Sequence, residues 1–192
     1  MDMKGIEHVQ DSYAKGKGLL MICGHYGPWE FYLQSFALSG IPIEIVARRI
    51  KNPYVDALVT HYRTIHGTQI ILSKNAARNT LRALKEGKMV GILMDHHVRE
   101  GGLTIPFLGR MANTTSLPAL LALHLGVPVH FIRGWHEGEK IKMEILPAMN
   151  FAGISNSSEG IKKVTQMMNK VFEDWIREKP ENWFWIHNRW KN

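Results

Sequence analysis

Apolar and polar positions along this chain follow two alternating periods. Short, nearly continuous apolar runs at 18–23, 43–47, 69–72, 89–94 and 127–132 predict strands buried on both faces. Between them, helical spacing predicts helices over 28–40, 52–66 and 73–84, a further one opening at Thr114 or Thr115, and a long one over 158–178. Their punctuation is regular: Pro28 stands in a first turn, Asn52-Pro53 and Ser73 cap, and Gly40, Gly67 and Gly87 stop. The alternating segment 140–146 predicts an added antiparallel strand, and 95–113 a long loop. Repeated strand-helix-strand order with short connections predicts an α/β fold, a mostly parallel central sheet covered by helices on both faces. No repeat, low-complexity tract or Gly/Ser linker divides the chain, so one domain over residues 1–192 is expected.

That topology locates a site before any motif is considered. In open parallel sheets ligands bind outside the carboxyl ends of the strands, where loops and helix N-termini converge. The residues predicted there include His25, Arg48, Ser73, Lys74, Asp95, His96 and Arg133. The sharpest element is Gly24-His25-Tyr26-Gly27-Pro28-Trp29-Glu30. A histidine on a Gly-flanked turn is exposed above the sheet, and a first-turn glutamate can fold back on it, fixing its tautomer for proton abstraction from a hydroxyl. The same residues also suit a turn histidine and a dipole-complementing acid. The flanking glycines and the strand-end position favour chemistry. Arg48, Arg63 and Arg110 are candidates for binding a phosphate or an oxyanion.

Composition narrows the class. With 192 residues, 45% hydrophobic and 21% charged, the chain can bury a real core. Its 24 Lys and Arg against 17 Asp and Glu leave a net +7, suited to anionic lipid, a phosphorylated ligand, an acidic protein or nucleic acid. Nucleic acid ranks last, for want of a recognised motif or clustered basic run. One cysteine, Cys23, and no signal-type leader imply a reducing, cytoplasm-facing location. The longest apolar stretch, 117–132, is broken by Pro118, His124 and Pro128, short of the roughly 18 to 20 clean residues that span a bilayer. No Gly-x-Ser-x-Gly elbow indicates a serine acyl-enzyme, and Cys23 sits in an apolar strand as a packing residue. Adjacent His96 and His97 point opposite ways in an extended segment, so no metal is expected there. The loop 106–109 and the terminal aromatic-basic segment 183–191 suit an acyl chain and a membrane interface, or equally a packed core and a packed final turn.

The heptapeptide resembles the histidine motif of the bacterial lipid A biosynthesis acyltransferases, within the wider glycerolipid acyltransferase group. The similarity extends through Arg48, Asn52-Pro53, Arg63, Asp95, Pro106-Phe107-Leu108-Gly109, Thr114-Thr115 and Trp183 to Trp190. It departs at Pro28, where relatives carry Asn, and at His96, where they carry Gln. Only 24 residues precede His25, where relatives have a spanning helix and a long segment, so a truncated, peripheral form is expected. The resemblance implies His25 as general base, Glu30 as its partner, and Arg48 and Asp95 as further site residues. It implies no cofactor, an acyl carrier protein thioester donor with acyl-CoA as the other option, and a lipid A precursor or similar glycolipid acceptor. The partners expected are therefore acyl carrier protein, a membrane lipid and the membrane surface, at the cytoplasmic face of the bacterial inner membrane. Lysophospholipid or phosphatidylinositol mannoside remain alternative acceptors, and an inactive lipid- or carrier-binding module the alternative role.

Overall fold

The computed structural model describes residues 2–191. In chain order the elements are β1 (Asp2–Lys4), α1 (Ile6–Tyr13), β2 (Leu19–Cys23), α2 (Trp29–Leu38), β3 (Ile43–Ala47), α3 (Pro53–Thr64), β4 (Gln69–Leu72), α4 (Ala76–Lys85) and β5 (Met89–Leu93). They continue with β6 (Gly102–Phe107), β7 (Arg110–Thr115), α5 (Leu117–Leu125), β8 (Val129–Glu137), β9 (Lys140–Ile145) and α6 (Ser158–Glu178). Seven strands form one sheet in the order β1-β9-β8-β2-β5-β3-β4. From β8 to β4 the strands are parallel; β9 runs antiparallel to β8, as its alternation predicts, and carries β1 at the edge. The expected α/β class is thus the observed one.

Strand periodicity decides which core each side chain enters. On β2, Leu20 and Ile22 pack with Val90, Phe131, Phe172 and Trp175 on the face covered by α4, α5 and α6. Leu19, Met21 and Cys23 pack with Tyr32, Phe36 and Ile43 on the face covered by α1 and α2. All five β2 residues are buried, which explains why that run lacks alternation. Ser157 caps α6 through the Gly160 amide, so the long helix starts where its sequence signals it.

Three departures from the sequence expectations matter. The span 95–113 is not a loop throughout: β6 and β7 form an antiparallel hairpin joined at Leu108 and Gly109, both at positive φ (50 and 81°). That geometry matches the twist of a two-residue hairpin, and a Leu-Gly pair with Pro106 in the strand does not advertise it. Second, β8 runs on to Glu137, so Arg133 lies inside a strand, held by Glu144 and Glu178, rather than at the site edge. Third, β1 and α1 precede the first predicted strand. Among the described residues no helix is long and apolar enough to cross a membrane.

Candidate active site

The register of the central sheet makes the site. β2 and β5 pair in parallel with Cys23 beside Leu93, so the chain leaves both strands level. Two residues further on, His25 and Asp95 are therefore neighbours. The His25 backbone amide donates to Asp95 Oδ2 at 2.9 Å, and its Nδ1 lies 2.9 Å from Oδ1. The Trp183 indole donates to Oδ2 at 2.8 Å. Asp95 is wholly buried. Burial alone would raise its carboxyl pKa, but the His25 hydrogen bond, the imidazole charges and the Trp183 donor together hold it below the usual carboxylate range. An ionised carboxylate only accepts, so Nδ1 carries a proton, and in the neutral ring the lone pair therefore lies on Nε2.

Close packing around the turn requires its glycines. A Cβ on Gly24 would lie 2.9 Å from the Phe172 ring and 3.3 Å from the Asp95 carboxyl carbon. Gly27 has φ +58°, and a Cβ there would meet the Gly134 carbonyl at 2.0 Å. Side chains at either position would push α6 or β8 away from the imidazole.

The expected contact between His25 and Glu30 is corrected by the geometry. Glu30 turns to α3, where Arg63 grips it with two hydrogen bonds, Nε to Oε2 at 3.0 Å and Nη2 to Oε1 at 2.5 Å. That pairing, more than the opposing cost of burial, raises the Arg63 pKa. The reason lies in α2: Trp29 is its first residue and sets its ring edge-on to His25 at 5.3 Å, while Glu30, one position on, projects onto the face next to α3.

The carboxy-terminal segment closes the site from behind. Phe184 N donates to the His25 carbonyl and Gly27 N to the Asn182 carbonyl, so the segment lies along the histidine turn. Trp183, almost fully buried, reaches Asp95, and Arg189 is wholly buried against the β6–β7 hairpin. Of the two options for this segment, packing accounts for Trp183 and Arg189, whereas Trp185 and Ile186 stay exposed. His25, His96 and His187 stack in sequence, with centroids 3.6 and 3.8 Å apart and interplanar angles of 4 and 13°. His25, Asp95 and His96 lie close enough to suggest a metal. Parallel stacking argues against that use, because the in-plane lone pairs of two stacked rings cannot converge on one ion, and Nδ1 of His25 is already committed to Asp95.

Burial, and next the nearby His25 charge, lower the His96 pKa to about 4. Between about pH 6.5 and 4 the unfolded chain therefore binds a proton at this position that the folded chain does not. Stability rises with pH wherever the unfolded state holds more protons, so it falls as pH drops through that window. Thermal midpoints measured from pH 7 to 4.5 are expected to decline, and H96Q to decline less steeply. A residual slope is expected because His187 and His130 are also lowered, in both cases chiefly by burial. Equal slopes for H96Q and the parent would refute the assignment.

His25 opens into a cavity of about 950 Å³ walled by Trp29, Glu30, Ile45, Val46, Ile92 and Leu117, with Arg48, Arg63, Lys74 and Arg78 also lining it. A second cavity of about 1140 Å³ shares Arg48, Ser73 and Lys74 and adds Arg99, His187 and Lys191. Of the residues singled out in the sequence, His25, Glu30, Arg48 and Arg63 thus meet at one cavity, with Asp95 directly beneath. Arg110 does not line it; its guanidinium stands 5.3 Å from the Trp190 ring centre. Trp183, His187 and Lys191 were not singled out individually as site residues. Their signal was the dense aromatic-basic run near the carboxyl terminus.

An imidazole held by a buried carboxylate at the carboxyl edge of a parallel sheet, opening on a large, partly apolar, cation-lined cavity, defines this as an α/β protein with an imidazole–carboxylate site. The chain belongs to the bacterial lipid A biosynthesis acyltransferase family, whose model matches residues 1–192. It is 28% identical to a lipid A biosynthesis lauroyltransferase of Escherichia coli over 97% of this chain and 60% of that protein. Identity is also 28% to a lipid A biosynthesis acyltransferase of Haemophilus influenzae, over 95% of this chain and 56% of the relative. A phosphatidylinositol mannoside acyltransferase of Mycolicibacterium smegmatis is 21% identical over 99% of this chain and 62% of its own length. The chain therefore spans about three fifths of the length of these relatives.

Proposed function

We propose that the chain is the catalytic part of an O-acyltransferase that moves a fatty acyl group from an acyl carrier protein thioester, or from acyl-CoA, to a hydroxyl of a lipid A precursor or similar glycolipid. The observation that carries this is the His25–Asp95 pair, whose hydrogen bond leaves Nε2 free to act as base beside the cavity. Nε2 takes the hydroxyl proton as the acceptor oxygen attacks the thioester carbonyl; the C–S bond breaks, and the imidazolium returns its proton to the departing thiolate. Asp95 stabilises the imidazolium. No enzyme nucleophile takes part, and Cys23 is unsuited to be one, since burial first and then the charges of Asp95 and Glu30 raise its thiol pKa.

Arg48, exposed at the rim of both cavities, suits the oxyanion or a phosphate, and Glu30 acts through Arg63 to hold the cavity wall. The cations of the second cavity suit the phosphates of a glycolipid head group. The proposed place of action is the cytoplasmic face of the bacterial inner membrane. The mycobacterial relative's name keeps phosphatidylinositol mannoside open as the acceptor.

The decisive experiment incubates the purified chain with acyl-loaded carrier protein, or acyl-CoA, and separately with a lipid A precursor, phosphatidylinositol mannoside or a lysophospholipid. Mass spectrometry is expected to show one acyl chain added to the first acceptor with release of the donor thiol. Exclusive acylation of another acceptor reassigns the substrate. Binding of donor and acceptor with no ester formed with any of them would overturn the enzymatic proposal in favour of a binding module.

A further inference from the structure

α3 is amphipathic the wrong way round for a helix resting on a sheet. Its half-buried positions are Asp56, Val59, Arg63 and Thr64; the first three lie at i, i+3 and i+7 and face the protein, and two of the four are charged. Asp56 accepts from the Ile50 amide at 2.8 Å, and Arg63 binds Glu30. The opposite face carries Tyr54, Leu58 and Tyr62, continued by Ile65 at the C-cap, which at 3.6 residues per turn fall within an arc of about 80°. These four are 85, 55, 59 and 53% exposed, and α3 has no fully buried residue. A helix that spends Asp56 and Arg63 inward while its aromatic and aliphatic side chains face solvent suits a second apolar phase.

Charge says which phase. Residues 48–78 hold six cations against the single acid Asp56; Arg63 is paired with Glu30 and Arg49 with Asp56, so the basic character of the surface rests on Arg48, Lys51, Lys74 and Arg78. Arg49 and Lys51 are exposed just before α3, and Lys74 and Arg78 are exposed on the far side of the cavity that Ile50 and Arg63 also line. An apolar arc containing two tyrosines, bordered by cations, matches the interface of an anionic bilayer, where amphipathic rings sit at head-group depth and basic side chains meet lipid phosphates. An acidic protein would answer the cations and leave the apolar arc uncovered.

We propose that the outer face of α3 docks this domain on an anionic phospholipid surface and turns the mouth of the His25 cavity towards the lipid. The proposal gives the acyl-transfer reading its route for an acceptor lipid, yet it is tested without any acyl donor, so the two can fail separately.

Vesicles of 30:70 phosphatidylglycerol and phosphatidylcholine are sedimented with the full chain, alongside pure phosphatidylcholine vesicles. Partition is expected to be at least tenfold greater onto the anionic vesicles at low salt and to weaken as salt rises. A Y54D/L58D double variant, altered at two exposed positions, is expected to keep the parent's thermal midpoint and lose at least tenfold in partition. As a check that does not rely on loss, L58C labelled with an environment-sensitive fluorophore is expected to shift to the blue on anionic vesicles; Cys23 is buried and escapes labelling. Failure of the parent to sediment, or parent-like sedimentation by the folded double variant, overturns the proposal. So does a variant whose only change is loss of a dimer in light scattering, which gives this face to a second copy. A variant that keeps vesicle partition but weakens carrier-protein binding gives it to that partner.

Discussion

D95N is expected to slow acyl transfer by about 10³- to 10⁴-fold, nearly as much as H25A, while leaving the fold in place. Three donors converge on this carboxylate, from the His25 amide, His25 Nδ1 and the Trp183 indole. An asparagine offers one oxygen and one NH₂ in the same space. If its oxygen keeps the two donors at the Oδ2 position, the NH₂ faces Nδ1, which must then become the acceptor. The ring proton moves to Nε2, and the base is gone although every atom stays near its place. Steady-state rates with saturating donor and acceptor measure the loss, and ¹⁵N chemical shifts of the His25 ring report the tautomer independently. A folded D95N protein that transfers within tenfold of the parent would show that Asp95 does not set the state of His25. The low carboxyl pKa adds a pH signature: the contribution of ionised Asp95 to both stability and rate is present above the ordinary carboxylate range and is lost as pH falls through its depressed folded value.

Glu30 is expected to carry less weight than Asp95. Its bond to Arg63 sits at the cavity wall, its side chain is 44% exposed, and a partly solvated ion pair contributes modestly. The contrast shows what can be read from a linear sequence. His25 was legible because its signal is local: an apolar run, a turn flanked by glycines, and a helix start. Asp95 was legible as a strand-end residue, from the apolar run of β5 before it. Its partnership with His25 depends on β5 inserting between β2 and β3, a crossover that no local pattern encodes. Glu30, five residues from His25, looked like the partner because sequence distance stood in for spatial distance. Trp183 contacts Asp95 across 88 residues, and Arg189 reaches Thr114 across 75. Such contacts come from how α6 returns the chain across the sheet, so only the aromatic-basic character of the segment was visible beforehand. α3 shows the same limit: its period is clear in the sequence, but which face meets the protein is a tertiary fact.

Arg189 is expected to be the position outside the pair where substitution costs most. Its guanidinium is wholly buried, donating to the Asn113 carbonyl at 2.7 Å and to Thr114 Oγ1 at 2.5 Å, with its centre 4.9 Å from the Phe107 ring centre. Burial lowers its pKa to about 10, partly offset by attraction to Asp95, so it remains charged at neutral pH. R189A would leave a void beside the Phe107 ring, deprive the Asn113 carbonyl and Thr114 Oγ1 of a donor, and remove a cation from the neighbourhood of the buried carboxylate. The cavity and the two unsatisfied acceptors together are expected to cost about 3 to 5 kcal/mol, or roughly 6 to 20 °C in thermal midpoint for a chain of this size. R189M separates volume from charge. By refilling the space it is expected to recover part of the lost stability, since well-packed apolar replacements of buried ions are often tolerated. It cannot restore the cation, so its transfer rate is expected to fall off on the acid side at a higher pH than the parent's, as Asp95 becomes easier to protonate. An R189A midpoint within 1 °C of the parent would show that the segment is held without this residue. An unshifted acid limb in R189M would show that the two charges, though buried in the same region, do not influence each other.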